Sequence, residues 1–154
     1  MKKLLLFLFI LIIVSAALNG LWEYGQCGIF YTINGEASFE HYNLLIGRII
    51  LDIGVTLLLY IFVSIVNFEW KWFANWDLKD TFIILLFALF VSFYVEVNAL
   101  YLGRWGYSNI MPLLIGTDVG LTPILQWLIT MPVSLLIVRL FMRGRVQTSS
   151  RYRF

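Results

Sequence analysis

Apolar residues in this chain do not alternate with polar ones at helical or strand periods; they run in four long blocks separated by short polar stretches. The blocks predict helices over approximately 4–22, 44–66, 81–102 and 121–142, each near or above the roughly 20 residues that cross a bilayer core. Pro123 falls where a first helical turn tolerates proline, and Pro132 lies inside the fourth block, where it predicts a kink. The expected fold is an all-α integral membrane protein: a four-transmembrane-helix bundle forming one membrane domain over 1–154, with a basic cytoplasmic tail at 143–154.

Composition strengthens this picture. Of 154 residues, 61% are hydrophobic and 13% charged, more apolar surface than a water-soluble domain of this size can hide. The first block resembles a cleavable signal peptide, with Lys2-Lys3 before it and Ser15-Ala16-Ala17 near its end. Apolar character nevertheless continues through Leu21-Trp22, and Trp22 and Tyr24 fit an interfacial aromatic belt, so retention as a helix is expected.

Charge then orients the bundle. Lys2, Lys3, Lys71, Lys79, Arg139, Arg143, Arg145, Arg151 and Arg153 fall on one side, Arg48 and Arg104 towards the other. The positive-inside rule makes the first side cytoplasmic, with both termini there, in what reads as a bacterial or archaeal cytoplasmic membrane. The connection over 67–80 becomes a short cytoplasmic loop whose Trp70, Trp72 and Trp76 are expected to anchor in the headgroup region. The segments 23–43 and 103–120 form the outer connections, and the apolar run 110–115 is expected to dip into the interface or cap the bundle.

The two halves are similarly organised. Glu23 and Glu96 stand 73 positions apart, as do Gly47 and Gly120, which fits two parallel helical-hairpin repeats. The alternative is that any two hairpins with aromatic belts look alike.

Polar residues inside spans are costly and need a partner, a cavity or the headgroups. Glu23 closes the first span, Arg48 and Asp52 lie early in the second, Glu96 and Asn98 late in the third, and Gln126 early in the fourth. All fall towards the outer leaflet, with Arg104, Tyr107 and Asp118 in reach, so an outward-facing polar pocket is expected. Arg48 and Asp52, four apart on one helical face, are expected to pair. Glu96 then stands out as the less compensated charge, a carboxyl that burial favours in its neutral form unless Arg104 pairs with it. Gln126 also fits a helix-bridging hydrogen bond, and His41 an ordinary surface histidine.

Metal and cofactor chemistry find no support. One cysteine, Cys27, and one histidine make no conventional zinc site, and the glycines form no dinucleotide or phosphate loop. Tyr24-Gly25-Gln26 is not the small-residue context that precedes a lipid-modified cysteine. Net charge of +2 with basic residues beside an apolar block points to anionic lipid rather than nucleic acid. The sequence Gly103-Arg104-Trp105-Gly106-Tyr107 followed by Gly120-Leu121-Thr122-Pro123 resembles, over about a dozen residues, the Trp-x-Tyr then Pro pattern of small membrane-bound carotenoid cyclases. Ile124-Leu125 stand where that family has paired glutamates, so no site residue carries over.

The expectation is a small polytopic membrane protein that binds or transports a small solute or amphipathic molecule. Its candidate residues are Glu96, Arg48, Asp52, Glu23, Asn98, Arg104, Tyr107 and Gln126, with no metal or cofactor. Membrane lipids and a homo-oligomer or larger membrane complex are the expected partners. An intramembrane lipid- or isoprenoid-modifying enzyme and a structural subunit are the alternatives.

Overall fold

A computed structural model describes residues 2–33, 36–37 and 42–150, with side chains described over 2–32 and 45–143. The candidate His41 lies outside the described residues. Four helices long and apolar enough to cross a membrane dominate: α1 (Lys2–Phe30), α2 (Tyr42–Val66), α3 (Leu78–Tyr101) and α4 (Leu121–Ser150). Phe7 near the start of α1 stacks on Phe73 in the α2–α3 connection, and Arg139 late in α4 stands over Trp76, so these segments share one end of the bundle, here called the terminal end; the opposite one is the cap end.

Three helices differ from the sequence expectation at their ends. Helix α1 runs eight residues beyond position 22, because Glu23, Gln26 and Cys27 turn into the bundle instead of starting a loop. Helix α3 starts at Leu78, set by a capping box in which the Asp77 side chain accepts from the Asp80 N–H and Asp80 accepts from the Asp77 N–H. Helix α4 is continuous through Pro132 and on to Ser150, taking in most of the stretch expected as a tail.

The fold is also not purely helical. Strands β1 (Tyr31–Ile33), β2 (Glu36–Ala37) and β3 (Gly106–Tyr107) form a small antiparallel sheet at the cap end, in the order β2-β1-β3. Tyr31 pairs with Tyr107 and Thr32 with Gly106, so the sheet ties the first cap connection to the second. Ser108 adds two bonds, its N–H to the Phe30 carbonyl and its hydroxyl to that of Ile29. Gly106 lets the two strands approach closely: a Cβ would stand 3.1 Å from Thr32 Oγ1, which would have to give way. The run 110–115 does cap the bundle. Met111 is buried, Ile110 and Ile115 are exposed, and the chain folds back through Gly116, at φ 77°, so that Leu113 bridges to Gly120.

Inside the bundle α1 packs against both α2 and α4, and α3 against α4, while α2 and α3 touch much less. The buried positions of α1 recur every four residues, at Phe7, Leu11, Ser15, Asn19 and Glu23; those of α3 are Asp80, Ile84, Ala88, Ser92 and Glu96, each 73 positions later. A stripe of period four winds obliquely around a helix of 3.6 residues per turn. Its content changes with depth. Towards the terminal end, past Asp80 in the capping box, the stripes are apolar: Phe7 stacks on Phe73, with ring centroids 3.9 Å apart, among Leu11, Leu59, Ile84, Met131 and Leu135. Towards the cap end the same stripes carry polar groups.

The loop at the terminal end holds a further departure. Trp72, expected as a headgroup anchor, is 2% exposed in a short 3-10 turn (Trp72–Asn75), beside Tyr60 and Trp76. Tyr60 donates to the Trp70 carbonyl, closing this loop over the core.

Candidate functional site

The polar residues of the cap-end half form one hydrogen-bonded network. At its centre is Arg48, on α2 and 6% exposed. Its Nε lies 3.0 Å from Glu23 Oε2 on α1, and its Nη2 lies 4.0 Å from Glu96 Oε1 on α3. Two aromatic faces complete the enclosure: the guanidinium carbon is 3.9 Å from the ring centroid of Tyr31 and 4.7 Å from that of Trp105. Cation–π contacts of this kind gain strength when water is excluded.

Glu96 is accordingly not the stranded charge that its position suggested. Tyr107 Oη donates to Glu96 Oε2 at 2.6 Å and Trp105 Nε1 at 3.2 Å, while Tyr31 Oη reaches Oε1 at 3.5 Å. Three donors thus hold Glu96 as an acceptor, and all three come from the cap strands or their edge. Burial pushes the phenols of Tyr31 and Tyr107 above the ordinary tyrosine range, and the neighbouring Glu96 charge adds to the shift in both.

Asp52 also differs from expectation. Rather than pairing with Arg48 along α2, it accepts from Trp127 Nε1 at 2.8 Å and Gln126 Nε2 at 3.0 Å on α4. The interhelical bonds compete successfully because the guanidinium is turned towards α1 and α3. Gln126 bridges helices as expected, accepting from Gln26 at 2.7 Å while donating to Asp52 and, at 3.3 Å, to Asn19.

From there the network descends. Gln26 donates to Glu23, Cys27 Sγ donates to Glu23 Oε2, and Thr130 donates to Asn19. Asn19 donates to Ser15 Oγ, which donates to Thr56, which closes on the Asp52 carbonyl. Ser15, the first residue of the stretch that resembled a processing site, is fully buried and bonded to α2, while Ala17 is exposed.

Of the eight candidates from the sequence, Glu23, Arg48, Asp52, Glu96, Tyr107 and Gln126 converge. Asn98 instead donates to the Tyr94 carbonyl within α3, and Arg104 is exposed. Sequence reasoning missed Tyr31, Trp105, Trp127, Asn19 and Gln26. A signal existed for two: Asn19 and Gln26 sit on the stripe of α1 already marked by Ser15 and Glu23, whereas the aromatics are indistinguishable in sequence from belt residues.

At the heart of the cluster is a cavity of about 20 Å³ lined by residues that include Glu23, Arg48, Asp52, Ser92, Glu96, Trp105 and Gln126. That is room for about one water. The buried Nη1 of Arg48, a residue on its wall, has no hydrogen-bond partner among the described residues. A shallower groove of about 290 Å³, lined by Leu21, Trp22, Gly25, Gln26, Phe30 and Thr122, lies on the outside of the bundle, with Gln26 linking it to Glu23. Among the described residues no group of three or more His, Cys, Asp or Glu is placed to hold a metal ion.

No known family matches this chain, and neither a curated protein nor a solved structure is significantly similar to it.

Proposed function

We propose that the chain binds, and carries across the cytoplasmic membrane, a small organic cation with an apolar portion, and that Arg48 is the resident cation this ligand displaces. The observation that carries the reading is the guanidinium of one helix held between carboxylates of two others and under two aromatic rings. Such an enclosure suits guanidinium-like and other organic cations by charge and by π-face attraction. Glu23, Asp52 and Glu96 also give the cluster three carboxyl groups to one guanidinium, acceptors that suit an incoming cation. The groove beside Gln26 offers an apolar wall for the rest of an amphipathic ligand. With room for about one water, the cavity admits a ligand only when the cap strands part, and those strands carry Tyr31 and Tyr107.

In this reading the terminal end faces the cytoplasm and the cluster faces outward, which the positions of Lys2, Lys3, Lys71, Lys79, Arg139 and Arg143 support. The matching stripes of α1 and α3 support descent from a duplicated hairpin. Against this stands the close packing of α1 on α4 compared with that of α2 on α3, which a two-fold repeat would make equal. The enzyme alternative is less well supported, because both oxygens of Glu96 and of Asp52 already accept hydrogen bonds and none is left facing a substrate-sized space.

The test is tryptophan fluorescence and thermal unfolding of purified protein titrated with alkylguanidinium ions and, in parallel, with the uncharged alkylureas of the same shape. The cations alone are expected to bind, about tenfold more weakly in Glu96→Gln, which keeps an acceptor for Tyr107 and Trp105. Equal response to cation and urea, or none to either, refutes the reading.

A further inference from the structure

The terminal end holds a second feature, remote from the Arg48 cluster. Between the start of α3 and the middle of α4 lies a groove of about 590 Å³, within the roughly 300–1,000 Å³ typical of small-molecule sites. Leu78, Pro132, Val133 and Leu136 give it apolar walls; Trp76, Asp77, Thr81 and Arg139 supply the polar groups.

All but one of those polar groups are already engaged. The carboxylate of Asp77 caps the Asp80 N–H, and the two oxygens of neighbouring Asp80 accept from Asn67 and from the Asp77 N–H. Thr81 Oγ1 accepts from Trp76 Nε1 and donates to the Asp77 carbonyl. Arg139 is the exception. Its Nε is buried without a hydrogen-bond partner, and no carboxylate lies within 4.0 Å of it among the described residues. The guanidinium instead stands over the Trp76 ring, 5.7 Å from its centroid, with Arg143 one helical turn further along α4. Asp80 attracts the Arg139 guanidinium from beyond ion-pair distance, and its own oxygens are taken by Asn67 and the Asp77 N–H, so the guanidinium keeps donors that no carboxylate fills.

We infer that this groove binds one anionic glycerophospholipid, its phosphate on Arg139 and an acyl chain along Pro132, Val133 and Leu136. Three observations select this occupant. The groove belongs to surfaces whose apolar side chains, Phe82, Leu136 and Leu140, are exposed on helices apolar enough to face lipid. Trp76 sits at one end with its ring edge hydrogen-bonded, the arrangement that suits a headgroup boundary. The positive charge of Arg139, which makes no direct ion pair and is reinforced by Arg143, favours a lipid carrying net negative charge over a zwitterionic one.

The experiment is native mass spectrometry of the full chain in mild detergent, with equal amounts of phosphatidylglycerol and phosphatidylcholine of identical acyl chains. Wild type is expected to retain one phosphatidylglycerol about fivefold more than phosphatidylcholine, the order expected for one arginine near the surface. Arg139→Gln should erase the preference, and Arg104→Gln, at the cap end, should keep it. Val133→Trp, which fills the groove and leaves Arg139 in place, should reduce retention of both lipids, so the inference does not hang on one variant's folding. Equal retention of the two lipids by wild type overturns it. So does a preference that survives Arg139→Gln, or one that disappears only when Arg145, Arg151 and Arg153 are neutralised.

Discussion

Arg48 and Glu23 meet across α2 and α1 with Nε 3.0 Å from Oε2, and both side chains are almost wholly buried. Removing one member of such a pair exposes what the pair conceals. Arg48→Met is expected to destabilise the protein by about 3–5 kcal/mol, because Glu23 and Glu96 lose their shared counter-charge while remaining out of water. Adding Glu23→Gln should recover a substantial part of the loss. Thermal unfolding of the single and double variants in one detergent checks this, and a double variant no more stable than Arg48→Met would contradict it.

Gly120 offers a more local probe. A Cβ there would stand 3.0 Å from Met111 Cε, 3.1 Å from Met111 Sδ and 3.1 Å from Tyr107 Cζ. Met111 is flexible enough to yield, but Tyr107 is pinned by its bond to Glu96 and by the β1–β3 pairing. Gly120→Ala should cost about 1–3 kcal/mol through this crowding. It should also alter the near-ultraviolet circular dichroism of the cap aromatics. A variant with wild-type stability and spectrum would show that the cap tolerates displacement.

Alkaline pH tests the cap differently. The Tyr107 phenol is held above its ordinary value, first by burial and then by the Glu96 charge beside it. The folded state therefore retains the phenolic proton more tightly than the unfolded chain. That contribution is complete below the unfolded value of about 10 and is lost as pH rises beyond it. Wild type should lose stability above pH ~10 more steeply than Tyr107→Phe, as read from unfolding midpoints across that range. Parallel curves would remove Tyr107 from the account.

Much of the fold was legible because lipid demands long apolar blocks, and block length needs no tertiary information. The depth of the polar cluster was legible for a related reason: charge in a span is rare enough that six of eight candidates proved to be neighbours. Pairing was not legible. Arg48 and Asp52 satisfy the four-residue rule, yet the choice was made by Glu23, Trp127 and Gln126, which become neighbours only through packing of α1 and α4 on α2. The end of α1 was misplaced because Glu23 and Gln26 look like loop residues until a bundle interior is there to receive them. The cap sheet is too short to leave an alternating pattern, so Tyr31 read as one more aromatic in a connection.

The oily half of the bundle has an electrical meaning. Phe7 on Phe73, with Leu59, Met131 and Leu135 around them, fills this half, and its buried polar groups Ser64, Asp80 and Ser134 make no hydrogen bond to the network of the other half. Bilayers containing this protein in the arrangement seen here should hold a voltage and show no leak current.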